Sequence, residues 1–123
     1  MNVGPETLAR GLLAKGLLAL GIIETSGRAP LIEAVDAAVK AASVDILASY
    51  FVGGGCNAVT LTGDVGSLRA ALDAAQALIE RQGIEGCTHL IPRLAPDVWP
   101  MIVPGTAETF KVKEKTEKRH GTE

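Results

Sequence analysis

Apolar residues along the chain repeat with two different periods. From residue 16 to residue 25 the stretch GLLALGIIET is continuously apolar up to Glu24, as in a strand covered on both faces or lying at a subunit contact. Beyond it Leu31, Val35, Ala38 and Ala42 recur every three or four positions behind Pro30, which predicts a helix with one apolar stripe and proline in its first turn. Residues 44–52 switch to period two, with Val44, Ile46, Ala48 and Tyr50 on one side, and run into Gly53, Gly54 and Gly55. The chain resumes as CNAVTLTG, β-branched and alternating, so the two runs read as a hairpin around a glycine turn. Asp64 follows as the N-cap of a helix to Gln82 whose stripe is Val65, Leu68, Leu72, Ala75 and Ile79, and Gly83 stands where a C-terminal cap belongs. Residues 87–91 form a last strand before Pro92, and a short apolar segment occupies 98–103.

The order strand, helix, strand, strand, helix, strand predicts an α+β domain of the ferredoxin-like, split βαβ kind. Its antiparallel-containing sheet carries both helices on one face. A length of 123 residues fits a single compact domain, expected over 17–103. Residues 1–16 mix glycines with Leu8, Leu12 and Leu13 and read as an extension of uncertain order. Residues 104–123 read as a charged, disordered tail, with five Lys or Arg against three Glu from Lys111 onward.

A net charge of −2 and an aromatic content of 3% argue against nucleic acid as a partner, because neither phosphate neutralisation nor base stacking has the residues it needs. The apolar run at 16–23 falls well short of the roughly 20 residues of a membrane span, so no membrane association is expected. Two cysteines are too few for the disulfide framework of a small secreted domain and read as reduced thiols in a cytoplasmic protein.

Candidate chemistry is sparse. Cys87 and His89 lie two apart on one strand and share a face, but a strand expected to lie under helices makes packing the simpler reading. Cys56, Cys87 and His89 form no C-x-x-C or H-x₃-H spacing, so they read as isolated from one another, with no metal site and no cofactor. Asp73 and Glu80 share a helix face, as solvated carboxylates do. The run GGGCN lacks the Gly-Lys-Ser/Thr ending of a phosphate loop. It is either a flexible turn or a backbone brought close to something.

Four stretches carry a resemblance: ALGIIET at 19–25, AVDAAVKAA at 34–42, VGGGCNAVTLTGDVGSL at 52–68 and HLIPR at 89–93. In this order and spacing they resemble the hexagon-forming shell proteins of bacterial microcompartments, the BMC domain family, over about residues 17–103. The resemblance implies a cyclic homohexamer, a flat tile without a catalytic step that packs into a cytoplasmic shell with other shell proteins around encapsulated enzymes. It also implies that the glycine turn lines the sixfold axis, so that Phe51, Val52, Gly53, Gly54, Gly55 and Cys56 line a pore for small metabolites. Lys40 and Arg93 match positions at the edge between neighbouring hexamers. Many relatives have serine at the central pore position and lysine where Phe51 stands; their absence implies a less positive pore. Some relatives hold an iron–sulfur cluster at the axis through cysteines, whereas Cys56 lies beyond the glycines and is expected to pack beside the turn. The alternative compatible with the same topology is a ferredoxin-like regulatory module that binds a small molecule at a subunit interface.

Overall fold

The computed structural model describes residues 19–51 and 55–102. Strand β1 (Leu20–Ser26) leads to helix α1 (Arg28–Ala41), the hairpin β2 (Asp45–Phe51) and β3 (Cys56–Thr62), helix α2 (Val65–Arg81), strand β4 (Gly86–Ile91) and a 3₁₀ helix (Pro96–Met101). The strands form one sheet in the order β2-β3-β1-β4, antiparallel at every pairing.

Both helices cover one face. Ile23, Val59 and Leu61 meet Leu31, Ala34 and Ala38 of α1 and Leu68, Leu72, Ala75 and Ile79 of α2 in a single buried cluster. The opposite face carries a second cluster, in which Leu20, Leu47 and Ala48 pack against Leu94 and Trp99. The continuous apolar run of β1 is thereby explained, since Ile23 and Leu20 point to opposite faces and both are fully buried. The strand runs one residue further than the hydrophobic run, to Ser26, and the expected start at 16–18 lies outside the described residues.

Helix α1 starts at Arg28, so Pro30 is its third residue and lies in the first turn, as expected. Proline is accepted there because the first-turn N–H groups have no intrahelical acceptor anyway. In β2 the pairing runs Ile46 with Leu61 and then Ala48 with Thr60, which leaves Leu47 as a bulge. The bulge breaks the predicted alternation: Leu47 and Ala48 are both buried, and Ile46 is 51% exposed. The segment expected at 98–103 is the 3₁₀ helix, opened by Pro96. Its C-terminal end is tied to the sheet by the Tyr50 hydroxyl, which donates to the Ile102 carbonyl. Burial pushes the Tyr50 phenol up, with the Thr60 hydrogen bond opposing.

Helix α2 is delimited as its sequence predicts, although Val65 is exposed rather than part of the buried stripe. Asp64 Oδ1 accepts the Ser67 N–H at 2.9 Å and Oδ2 accepts the Ser67 hydroxyl at 2.8 Å. At the other end Gly83, at φ +64°, donates to Glu80 while Ile84 donates to Ile79, the paired bonds of a Schellman stop. The Ser67 backbone and side-chain hydrogen bonds hold the Asp64 carboxyl below its ordinary value of 3.8. The cap therefore stabilises the fold above that value and is lost as pH falls through the lower, folded-state value. Thermal unfolding followed across this acid range should show the wild type losing melting temperature more steeply than Asp64→Asn, which caps without ionising; parallel curves would contradict the assignment.

Candidate functional site

The end of the β2–β3 hairpin is built around a glycine that its backbone demands. Gly55 has φ +94°, in the left-handed region where a side chain is disfavoured, although a Cβ there would meet nothing within 4 Å. Its carbonyl accepts the Gly27 N–H at 2.8 Å and the Asn57 side-chain amide at 3.2 Å. The hairpin end is thus tied to the β1–α1 connection, itself braced by the Thr25 hydroxyl donating to the Gly27 carbonyl at 2.9 Å. Phe51, Gly55 and Cys56 come together here and are exposed. Cys56 does not pack beside the turn as expected; it is a free, exposed thiol, since Ser26, its partner in the register, is the last residue of β1. Val52, Gly53 and Gly54 lie outside the described residues.

Sequence spacing missed one member of this region. The Arg28 guanidinium stands over the Phe51 ring, 4.3 Å from its centroid, a distance at which the cation is attracted to the π face. A positive charge from the neighbouring helix therefore stands beside the Phe51 ring at the hairpin end. Arg28 opens α1 right after Gly27, and Gly27 is hydrogen-bonded to the hairpin; that contact had no signature in the local pattern.

A second grouping overturns the reading of isolated cysteine and histidine residues. Glu24 pairs with Cys87, and Ile22 with His89, across β1 and β4. The Cys87 Sγ lies 3.5 Å from His89 Nε2 and donates toward Glu24 Oε2 at 3.8 Å. These residues also do not lie under the helices. Thr88 takes the helix side, its hydroxyl donating to Gln76 Oε1 at 3.2 Å, so its neighbours Cys87 and His89 face the other way. Burial raises the Cys87 thiol above its ordinary value, helped by the Glu24 charge and hydrogen bond and by Cys56. A shallow cavity of about 140 Å³ links Glu24 and Cys87 to the hairpin, with Cys56 also in its wall. Asp73 and Glu80 are exposed on α2, the solvated face their spacing suggests.

Lys40 and Arg93 stand apart from both groupings in the chain. Lys40, in the last turn of α1, pairs with Asp36 at 2.8 Å, and the two side chains are 73% and 54% exposed. Such a pair is worth at most about 1 kcal/mol, so it leaves the lysine free to engage another partner. Arg93 is exposed just beyond β4.

A family model for the BMC domain matches residues 19–94. The chain belongs to the BMC domain family. The match takes in all of the sheet and both helices and stops before the 3₁₀ helix. Among relatives, the bacterial microcompartment shell protein PduA of Salmonella typhimurium is 39% identical over 88 residues, covering 72% of this chain and 94% of the relative. The shell protein EutM of Escherichia coli K12 is 47% identical over 93 residues, covering 73% and 96%. A crystal structure of a microcompartment protein from Desulfitobacterium hafniense DCB superposes with a TM-score of 0.57 at 30% identity, over 66% of this chain and 44% of that one.

For this BMC domain, Gly55→Ala should destabilise the fold by about 1–3 kcal/mol, the cost of holding a non-glycine residue in a sparsely populated conformation. Denaturant unfolding checks this; an unchanged midpoint would mean that the turn relaxes freely.

Proposed function

We propose that this chain is a structural subunit of a bacterial microcompartment shell, with no catalytic step of its own. The observation that carries the reading is the match to curated shell proteins over 94% and 96% of their length. The regulatory-module alternative is not favoured, because the relatives are shell proteins.

The finer reading is a cyclic homohexamer whose hairpin ends converge on the axis, in a shell built with other shell proteins in the bacterial cytoplasm around encapsulated enzymes. Closed symmetry would repeat Phe51, Val52, Gly53, Gly54, Gly55 and Cys56 around the channel, so glycines there keep Cβ atoms out of the passage and turn backbone amides toward the solute. Arg28 over Phe51 adds a guanidinium from each subunit close to this rim. That supports passage of small anionic metabolites, in place of the weakly charged pore implied by the missing lysine. At the tile edge, Lys40 lays its methylenes along a neighbouring tile while Arg93 offers its planar fork to carbonyls across the seam.

Native mass spectrometry of the reduced full-length chain should give a hexamer, and a dimer or trimer would defeat the tile. The Lys40→Asp variant should keep the hexamer and lose extended sheets in negative-stain micrographs, because a carboxylate has neither the stem nor the charge to bridge the seam. Sheets indistinguishable from wild type would remove Lys40 from the edge.

A further inference from the structure

We propose that Glu24, Cys87 and His89 form a binding site for a single divalent ion of the zinc class, held on the sheet face opposite the helices. The three side chains come from β1 and β4, two strands in fixed antiparallel register, so their Cβ positions are set by the sheet and not by a loop. Each offers one ligand atom, and the three atoms lie within 4.8 Å of one another.

The two separations measured from sulfur match those a tetrahedral ion imposes, and the third, between Glu24 and His89, lies within 4.8 Å. Bond lengths of about 2.3 Å to sulfur and about 2.0–2.2 Å to nitrogen and oxygen, at tetrahedral angles, hold sulfur about 3.6 Å from either of the other two ligand atoms. The observed distances from Cys87 Sγ are 3.5 Å to His89 Nε2 and 3.8 Å to Glu24 Oε2. An ion therefore enters with shifts of a few tenths of an ångström at most along these two edges, within the ±0.2 Å tolerance on each bond. Thiolate, imidazole and carboxylate together suit zinc, which accepts all three. On binding, the thiol proton that now points at Glu24 leaves to solvent, a metal–sulfur bond forms, and no electron changes hands.

Three protein ligands leave the fourth position to an exchangeable water. His89 is exposed, and the 140 Å³ cavity reaches Glu24 and Cys87 from the other side, so ion and water both have a path in. Cys56 lines that cavity but is excluded from the ligand set: it belongs to β3 and pairs with Ser26, whereas Glu24 pairs with Ala58. The inference rests on the monomer's sheet register alone and is independent of the shell reading.

The test uses the reduced, chelator-stripped full-length protein titrated with Co²⁺ as a spectroscopic stand-in for zinc. One equivalent per chain should produce a thiolate-to-cobalt charge-transfer band together with the intense visible bands of a tetrahedral ion, and Zn²⁺ should bleach both. Cys87→Ser should abolish the charge-transfer band. His89→Ala and Glu24→Gln should each weaken binding by more than about 10-fold, because even an outer-shell partner costs about 10–100-fold. Cys56→Ser should leave band and affinity unchanged. Unaltered circular dichroism and oligomeric state in every variant separate ligand loss from misfolding. A wild-type protein that gives no charge-transfer band, or a band that survives Cys87→Ser, would overturn the site and leave the trio a hydrogen-bonded surface cluster. Loss of the band in Cys56→Ser would overturn the ligand set.

Discussion

Strand β1 is the constraint on which the rest of the structure depends, because it is paired on both edges and buried on both faces. Its pleat assigns alternate residues to two different environments: Ile23 to the helices, and Leu20 to the cluster closed by Trp99. The same alternation continues to its C-terminal end, where the apolar partners run out and Glu24 meets Cys87 instead. Ser26 then faces Cys56, and Gly27 turns the chain into α1 while bonding to Gly55. One seven-residue strand thus fixes the core, the hairpin end and the Glu24–Cys87–His89 trio. A one-residue slip in its register would put the Glu24 carboxylate on the helix side, away from the Cys87 thiol, and expel Ile23 from the core, which is why the register is strongly specified.

Elements whose information is local were legible from the sequence. The helix stripes apart from Val65, the Asp64 cap, the Gly83 stop and the β2–β3 pairing each depend on residues a few positions apart, and the described residues have them. The bulge at Leu47 was not legible, because alternation through Val44, Ile46, Ala48 and Tyr50 is a valid period-two pattern and only competition for a second buried face selects Leu47 over Ile46. That second face was itself hidden. It needs Leu94 and Trp99, brought back by a 3₁₀ helix too short for any periodicity to reveal.

The candidate sites divide along the same line. Phe51, Gly55 and Cys56 are neighbours in sequence, so the hairpin end could be read from composition and resemblance together. Glu24 and Cys87 are 63 residues apart, and nothing in the spacing of the cysteines suggests that a carboxylate from the opposite end of the domain completes a cluster with them. Motifs for metal sites report ligands on one loop or one helix, and ligands drawn from two paired strands leave no such trace.

The Arg28–Phe51 contact shows how a charge can reach the hairpin end from another element. Phe51 brings no charge of its own to that strand, and its aromatic ring is the surface over which a guanidinium from the neighbouring helix rests. Phe51 is 46% exposed, so the ring keeps one face for Arg28 and leaves the remainder to solvent. Arg28 is anchored at its backbone in the first turn of α1, next to the Gly27–Gly55 hydrogen bond, so the charge beside the Phe51 ring is supplied by the helix and not by the hairpin strand itself.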